Sequence, residues 1–401
     1  MYRAIHTNPL IKNALSYPQI LLKSLIYIFS ILRPVMSMSG PKMFFRKLLL
    51  FVPVVLLIVI VNAIGDPAHL FFNNQYEKKL ARLLLSGKNA LNVEDFDERG
   101  LQKAYVQGLK VPKDLVILGS SRSMQLGQEQ FPGETVFNSS VSGGALEDYI
   151  AIYHLYRERD LIPREIVLGI DPWVFNAHHG QQRWKNIFSD YKKGMSEISC
   201  DVTGRRRFGG AANRFLQGAE LFSVVYFQAS LKSIAQRMAG KPDMFSAVTV
   251  DLADLPIKRA DGAYHYGRDI RLRPIAEVDR DVLKSVGGNN IYSLGEYSRL
   301  DPRYLLMFEK FVQRLRDDGV KVSLYLPPYH PRVYQVLSTD PKYTMVLASE
   351  QYLISFARRN NIKVFGSYDP SVYSLTHDGF FDGMHSQPEA VAKLFARPRA
   401  L

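Results

Sequence analysis

Short apolar runs alternate with helix-like segments through most of the C-terminal part of the chain. The apolar runs are DLVILGSS (114–121), TVFNSSV (135–141), EIVLGID (165–171), VKVSLYLPP (320–328) and IKVFGSYD (362–369). Residues 146–159, 302–318 and 345–360 have helical character. Strands that alternate with helices are typical of a parallel sheet covered on both faces. We therefore predict a three-layer α/β domain, whose ligands bind at the carboxyl ends of the strands.

One interval interrupts this alternation. Residues 172–300 separate the third and fourth predicted strands by far more than one crossover needs. We expect a large, mostly helical insertion, which could shape access for substrate or bind a partner protein. Residues 66–108 carry apolar side chains at helical spacing and predict a helical lead-in. The α/β domain is then expected to cover residues 109–401.

The most apolar stretch is LLLFVPVVLLIVIVNAI, residues 48–64, which contains no charged side chain. Extended by Phe44 and Phe45, it approaches the roughly 20 residues that a hydrocarbon core of about 30 Å requires. Transmembrane helices tolerate a proline such as Pro53 when the freed backbone groups find other partners. We predict a transmembrane signal anchor over residues 43–65. A buried core helix is the alternative interpretation.

The charges on either side of this stretch predict its orientation. Lys42, Arg46 and Lys47 precede it, whereas Asp66 follows it and no Lys or Arg occurs again until Lys78. The positive-inside tendency then makes the preceding flank cytoplasmic. No clear small-residue cleavage site follows, so an uncleaved anchor is preferred. These features predict a single-pass inner (plasma) membrane protein with a cytoplasmic N-terminus and a periplasmic or extracellular C-terminal domain.

Residues 1–42 leave several interpretations open. Residues 17–32 are apolar but contain Lys23, which is compatible with a second, weak membrane segment or an interfacial helix. Translation could instead begin at an internal methionine such as Met36, so that the first part is an over-long start. The C-terminal domain is exported in each case.

Composition narrows the class of protein. The chain has 401 residues, of which 47% are hydrophobic, and this composition excludes a disordered chain. Its single cysteine, Cys200, excludes an internal disulfide and a multi-cysteine metal site. The formal net charge is +13, but the basic residues are spread and lack the interleaved aromatics of a nucleic-acid module. An anionic polysaccharide, teichoic polymer or lipid headgroup is compatible with the charge, and nucleic acid is not expected as a partner.

Two motifs at strand ends carry candidate chemistry. Gly119-Ser120-Ser121 follows the first predicted strand, where a serine in a tight strand-to-helix turn is exposed beside helix amides. Asp382 and His385 follow the last strand, three residues apart, and can form the base and its orienting carboxylate. Together, the two motifs predict a Ser-His-Asp arrangement.

At these motifs the chain resembles the SGNH (GDSL-like) hydrolase superfamily, over roughly residues 114–397. The resemblance implies a flavodoxin-like parallel-sheet domain in which Ser121 is the nucleophile, His385 the general base and Asp382 its orienter. Serine at position 120 replaces the aspartate of the family's G-D-S motif. With the predicted anchor, the chain looks like the teichoic-acid D-alanylation protein and envelope polysaccharide O-acetylation proteins.

The same resemblance implies an oxyanion hole built from the nucleophile's amide, a glycine amide and an asparagine side chain. Gly143 and Gly144 are both candidates for the glycine. The family's G-x-N-D block reads Gly-Ile-Asp-Pro here, which puts Asp171 where asparagine is expected. A carboxylate would repel an oxyanion unless it is protonated or turned away. Asn176 or Asn138 could substitute for it.

Further polar residues are candidates for substrate contact: Arg122, Asp171, Tyr329 and His330. A structural ion pair is the alternative role for Arg122. His178, His179 and His265 could suggest a metal site, but no acidic partner has ligand spacing. No metal and no other cofactor is therefore expected.

These features predict an exported serine esterase or O-acyltransferase acting on a cell-envelope polysaccharide or related polymer through an acyl-enzyme. A membrane acyltransferase or export complex is a possible partner. Two alternatives remain. The chain could be a non-catalytic SGNH-like binding or assembly factor that works with a membrane acyltransferase, or it could be a lipid esterase with an apolar lid.

Overall fold

The computed structural model describes residues 51–65, 75–93, 96–198, 227–228, 230–231, 234, 245–249, 254–288 and 291–400. The chain divides into two compact units. The smaller comprises Met1–Gly65 and Ala219–Lys232, and the larger comprises Asp66–Gly218 and Ser233–Leu401. The predictions for residues 1–42 and for Cys200 lie outside the described residues.

The elements are as follows. The strands are β1 Asn89–Leu91, β2 Leu115–Leu118, β3 Val136–Asn138, β4 Glu165–Gly169, β5 Ser246–Val248, β6 Ile257–Lys258, β7 Tyr264–His265, β8 Lys321–Leu326 and β9 Lys363–Gly366. The helices are α1 Val52–Gly65, α2 Gln75–Leu85, α3 Glu98–Gly108, α4 Leu146–Glu158, α5 Phe188–Glu197, α6 Arg268–Arg271, α7 Ile275–Val286, α8 Pro302–Asp317, α9 Pro331–Thr339, α10 Thr344–Asn360 and α11 Pro388–Ala396.

In the smaller unit, α1 is built almost entirely from apolar residues, and Phe51, Leu56 and Ile60 are exposed. Among the described residues, no helix combines the length and the apolar character that a bilayer span requires. The first part of the predicted span, residues 43–50, lies outside the described residues.

The larger unit is organised around a five-stranded parallel sheet, with strand order β3-β2-β4-β8-β9. Each of the five predicted strands contains one strand of this sheet, and the three predicted helices correspond to α4, α8 and α10. The prediction of an α/β fold with a parallel sheet is confirmed.

Helices cover both faces of this sheet. This is seen in β2, whose alternate side chains lie in two different apolar clusters. Val116 and Leu118 of β2 pack into the larger apolar cluster, to which α3, α4, α8 and α10 contribute. Leu115 and Ile117 pack into a second cluster with Leu394 of α11. Strands buried on both faces are expected to be continuously apolar, as these are. The strand order reverses direction between β2 and β4, and ligands bind at such a switch point.

The insertion is more varied than the expected mostly helical segment. Its described part contains α5, α6 and α7, but also β5, β6 and β7, which join β1 of the lead-in in a second sheet of order β5-β1-β6-β7. The pairings in this small sheet are antiparallel. The backbone N–H of Asn138 donates to the carbonyl of Asp261 at 2.7 Å. The insertion therefore covers the outer edge of β3, which would otherwise expose unpaired backbone groups.

Candidate active site

Ser121 begins a short 3-10 turn, Ser121–Ser123, immediately after β2. The side chain of Ser120 caps this turn by accepting the backbone N–H of Arg122 at 3.2 Å. Position 119 requires glycine, because a Cβ there would lie 2.4 Å from the Oγ of Ser123. The local sequence thus produces a tight turn that leaves Ser121 partly exposed at the carboxyl end of the sheet.

The loop that follows β9 orients His385 through Asp382. Oδ1 of Asp382 accepts the backbone N–H groups of Met384 and His385, each at 2.8 Å. Its other oxygen, Oδ2, lies 2.8 Å from Nδ1 of His385. One carboxylate therefore fixes both the backbone of the loop and the plane of the imidazole ring.

The two loops meet at the candidate nucleophile, where Nε2 of His385 lies 3.0 Å from Oγ of Ser121. With Nδ1–H donated to Asp382, the lone pair of Nε2 faces the serine hydroxyl. A base within about 2.6–3.2 Å of the proton that it abstracts meets the geometric requirement for general-base catalysis. The structure brings together the three residues of the predicted triad, and the arrangement can generate a nucleophilic serine.

The charge state of Asp382 suits the role of an orienting carboxylate. Burial alone would raise the pKa of Asp382, but the hydrogen bond and charge of His385 and the two backbone N–H groups together lower it below its usual value. The carboxylate therefore stays ionised at neutral pH and can stabilise a protonated imidazole.

Arg122 is buried directly behind the triad. Its Nε donates to the carbonyl of Met384 at 2.9 Å, within the loop that carries Asp382 and His385. One Nη donates to the carbonyls of Pro327 and Pro328 at 2.7 and 2.8 Å. The guanidinium carbon also lies 3.9 Å from the ring centroid of Tyr329. The guanidinium of Arg122 is therefore engaged by protein groups and its side chain is completely buried.

Arg122 forms an ion pair with Asp171. Oδ1 of Asp171 accepts a hydrogen bond from the other Nη of Arg122 at 2.8 Å. Burial raises the pKa of Asp171, and the charge of Arg122 opposes this rise. Both side chains are completely buried. The carboxylate is therefore neutralised by an adjacent cation, which answers the concern that Asp171 would repel a developing oxyanion.

Gly144 is placed to supply an oxyanion-hole amide. A Cβ at this position would lie 2.5 Å from the carbonyl oxygen of Gly119, so its backbone contacts the nucleophile turn. Gly143 has a φ of +59°, which favours glycine, and a Cβ at this position would lie 2.4 Å from Oε1 of Gln181. No acceptor among the described residues takes the backbone N–H of Ser121 or Gly144. These two N–H groups are thus available to a developing oxyanion.

The two asparagines proposed for this role have structural contacts. The amide nitrogen of Asn138 donates to the carbonyls of Ser123 and Leu126, and its oxygen accepts the N–H of Ser140. Asn138 is therefore fully engaged in holding the nucleophile turn. Asn176 is buried, and its side-chain oxygen accepts the backbone N–H of His178 at 3.0 Å.

Comparison with known proteins gives one match. A family model described as "Protein of unknown function (DUF1574)" matches residues 44–388. The chain belongs to the DUF1574 family. No curated protein and no solved structure showed significant similarity. The matched region contains Ser121, the insertion, Asp382 and His385, but the family description names no activity.

In this DUF1574 chain the insertion also contributes residues that the sequence analysis missed. The ring centroid of Tyr266 lies 6.3 Å from the ring centroid of His385 and 4.9 Å from that of Phe381. Tyr292 adopts a φ of +47°, an uncommon conformation for a non-glycine residue, and a Cβ at Gly383 would lie 2.1 Å from its hydroxyl. Two tyrosines of the insertion therefore lie beside the loop that carries Asp382 and His385, which is the candidate catalytic loop. No local motif in the sequence could have placed them there.

The histidines that lie together in the structure are not the three named as candidate metal ligands from the sequence. His179 lies 3.4 Å from the hydroxyl of Tyr304, and burial lowers the pKa of His179 to about 4. In the described part of the chain, the side chains that could share a metal ion are instead Asp279, His330 and His377.

Tyr329 and His330 are both 0% exposed, so neither lies on the rim where substrate contact was expected. Burial and the neighbouring His377 lower the pKa of His330 to about 4.

Proposed function

We propose that this protein is an exported, membrane-anchored serine esterase or O-acyltransferase of SGNH type, acting on acyl esters of a cell-envelope polysaccharide or a related polymer. The observation that carries the proposal is the continuous hydrogen-bonded chain from Ser121 through His385 to Asp382. The sheet order is second-first-third-fourth-fifth, with the serine after the first strand and the D-x-x-H motif after the last. This is the flavodoxin-like order.

The chemistry follows from the positions of the atoms. Oγ of Ser121 attacks the acyl carbonyl carbon while Nε2 of His385 takes its proton. The negative charge on the carbonyl oxygen is stabilised by the N–H groups of Ser121 and Gly144. His385 then returns the proton to the departing alcohol, which leaves an acyl ester on Ser121. Asp382 stabilises the imidazolium in both steps.

The second half of the reaction determines whether the protein is a hydrolase or a transferase. Water or a sugar hydroxyl loses its proton to His385 and attacks the acyl carbon of the ester on Ser121. The bond to Ser121 breaks, and the serine oxygen recovers its proton from His385. Both outcomes use the same residues, so the acceptor that reaches the site decides between them.

Two features support a substrate at the cell envelope. The apolar segment and its basic flank predict an anchor that holds the site beside lipid-linked carriers or an export complex. The net charge of +13 suits an anionic polymer. A membrane acyltransferase would then supply acyl groups, and Ser121 would pass them to the polymer.

A lipid ester is the second candidate substrate. In the described part of the insertion, Leu272, Ile275 and Leu283 are each more than half exposed. Exposed apolar side chains on the insertion would suit a surface that meets acyl chains.

A fluorophosphonate probe tests for the activated serine. We expect the full chain to be labelled, and expect labelling to be lost in Ser121→Ala and in His385→Ala. Ser371→Ala and His178→Ala are matched controls, because both side chains are exposed and neither belongs to the triad. A folded chain that is never labelled would contradict the proposal and favour a non-catalytic SGNH-like binding or assembly factor.

A further inference from the structure

Three potential metal ligands converge beside the catalytic loop from separate parts of the chain. Asp279 lies on α7 of the insertion, His330 follows β8, and His377 begins the turn that precedes Asp382. One ligand atom from each residue lies within 4.8 Å of the other two. None of the three belongs to the triad, and the proposed acyl chemistry does not use them.

The individual distances describe a site that a small cation could join. Nδ1 of His377 lies 2.9 Å from Oδ1 of Asp279, and Nε2 of His330 lies 3.5 Å from the same oxygen. The two imidazole rings have centroids 4.7 Å apart. His330 is completely buried, and its Nε2 has no hydrogen-bond partner among the described residues. A buried ring nitrogen without a partner is uncommon and calls for an explanation.

We propose that Asp279, His330 and His377 bind one Zn²⁺ ion. Two imidazole nitrogens and one carboxylate oxygen are ligands that zinc prefers, at about 2.0–2.2 Å, and three protein ligands leave a fourth position for water. His377 is 36% exposed, which provides a route for the ion and for that water. The proposal is independent of the acyl chemistry at Ser121.

Three contacts must change when the ion binds. The first is the 2.9 Å hydrogen bond between Nδ1 of His377 and Oδ1 of Asp279, because both atoms become ligands. Nδ1 of His330 accepts the backbone N–H of Arg332 at 3.2 Å, so coordination through Nε2 moves the ring proton to Nδ1 and removes that hydrogen bond. The side chain of Arg332 lies 3.5 Å from Asp279 and is 40% exposed, so it can turn toward solvent. Losing two hydrogen bonds and one partly exposed ion pair is a small effect beside three metal–ligand bonds.

The ion would connect three segments that determine the shape of the site. It would join the insertion helix α7 to the end of β8 and to the catalytic loop. The backbone N–H of His330 already donates to the carbonyl of Gly383 at 3.1 Å, between Asp382 and His385. We therefore assign the ion a positioning role, in which it fixes the insertion against the loop without contacting the reacting atoms.

Zinc titration of the full chain, purified without a histidine tag and stripped with a chelator, tests this proposal. We expect one Zn²⁺ per chain, and expect affinity to fall by about 100-fold or more in Asp279→Asn and in His377→Ala. His178→Ala is the matched control and should bind as the wild type does. Wild-type protein that binds no zinc, or variants that bind it unchanged, would overturn the proposal.

A second measurement guards against variants that lose zinc because they unfold. Zinc should raise the Tm of the wild type and of His178→Ala but leave the Tm of Asp279→Asn unchanged, with all three cooperatively folded before zinc is added. Co²⁺ in place of Zn²⁺ should give the visible absorption of a low-symmetry nitrogen–oxygen site in the wild type. Equal Tm shifts in all three proteins would contradict the site.

Discussion

The parallel sheet and the insertion contribute to the candidate site in different ways. The sheet supplies the reactive groups, since Ser121 and His385 lie on loops at the carboxyl ends of β2 and β9. Long-range contacts as well as local ones hold both loops. Arg122 and His330 donate to the loop that carries Asp382 and His385, and Asn138 donates to the turn that begins at Ser121. The insertion supplies Tyr266 and Tyr292 beside those groups and reaches them only through tertiary packing. Under the proposed function, the loops of the sheet provide the reactive groups, and we expect the insertion to influence which substrate reaches them.

Replacing Asp382 should have the largest effect on reactivity. Asp382→Asn keeps the size of the side chain, but it removes the charge that stabilises the imidazolium and favours the wrong ring tautomer. We expect turnover of a small ester to fall by about 10⁴-fold, as in other serine triads. Steady-state kinetics with p-nitrophenyl acetate measures this, with His178→Ala as the control. A loss below tenfold would mean that Asp382 does not orient His385.

Replacing Arg122 should have the largest effect on stability. Arg122→Met leaves Asp171 buried beside no cation, and removing one partner of a buried ion pair typically costs about 3–5 kcal/mol. Arg122→Met combined with Asp171→Leu should recover part of that loss. Urea unfolding of the wild type, the single variants and the double variant completes the cycle. Full stability of Arg122→Met would contradict the role of Arg122 as the support behind the triad.

Glu147 should make the sheet domain less stable as pH rises. Glu147 is the second residue of α4, and burial raises its pKa to about 7. The unfolded carboxyl loses its proton near pH 4.3, so the folded state is penalised progressively between about pH 4.3 and 7. Glu147→Gln should remove that penalty while keeping the hydrogen bond from Tyr304, which is 2.9 Å long in the wild type.

The measurement is the free energy of unfolding of both proteins between pH 4.5 and 8. We expect the advantage of Glu147→Gln to grow with pH by about 1–3 kcal/mol. A difference that stays constant with pH would show that Glu147 does not change its pKa on folding.

The smallest effect should come from the insertion. Tyr266→Leu keeps apolar bulk but removes the aromatic face beside His385, so KM for an oligosaccharide or polymer substrate should rise by about threefold to tenfold. Turnover of p-nitrophenyl acetate should stay within twofold, because this small ester does not extend as far as the ring of Tyr266. An equal loss for both substrates would mean that Tyr266 supports the geometry of the triad instead of selecting substrate.

The same division explains which features could be predicted from sequence. The apolar runs gave the five strands, and Ser121, Asp382 and His385 were found because each lies in a short motif at a strand end. Burial depends on distant packing, so Arg122 and Tyr329 looked like substrate contacts but lie beneath the site.

Features within the insertion, and contacts between the insertion and the rest of the domain, were harder to predict. β5, β6 and β7 have only two or three residues each, too few to show an alternating pattern. Asp279, His330 and His377 are far apart in sequence and have no ligand spacing to recognise. The membrane segment stays a prediction, because residues 43–50 lie outside the described part of the chain.

The central claim is that Ser121 forms an acyl-enzyme with His385 as its base. Intact-protein mass spectrometry, followed by peptide mapping after brief reaction with p-nitrophenyl acetate, tests it most directly. The account predicts one added acetyl group, on the peptide that contains Ser121, in the wild type and in Ser371→Ala but not in His385→Ala. An acetyl group on another residue, or no added group in a folded wild-type chain, would contradict it.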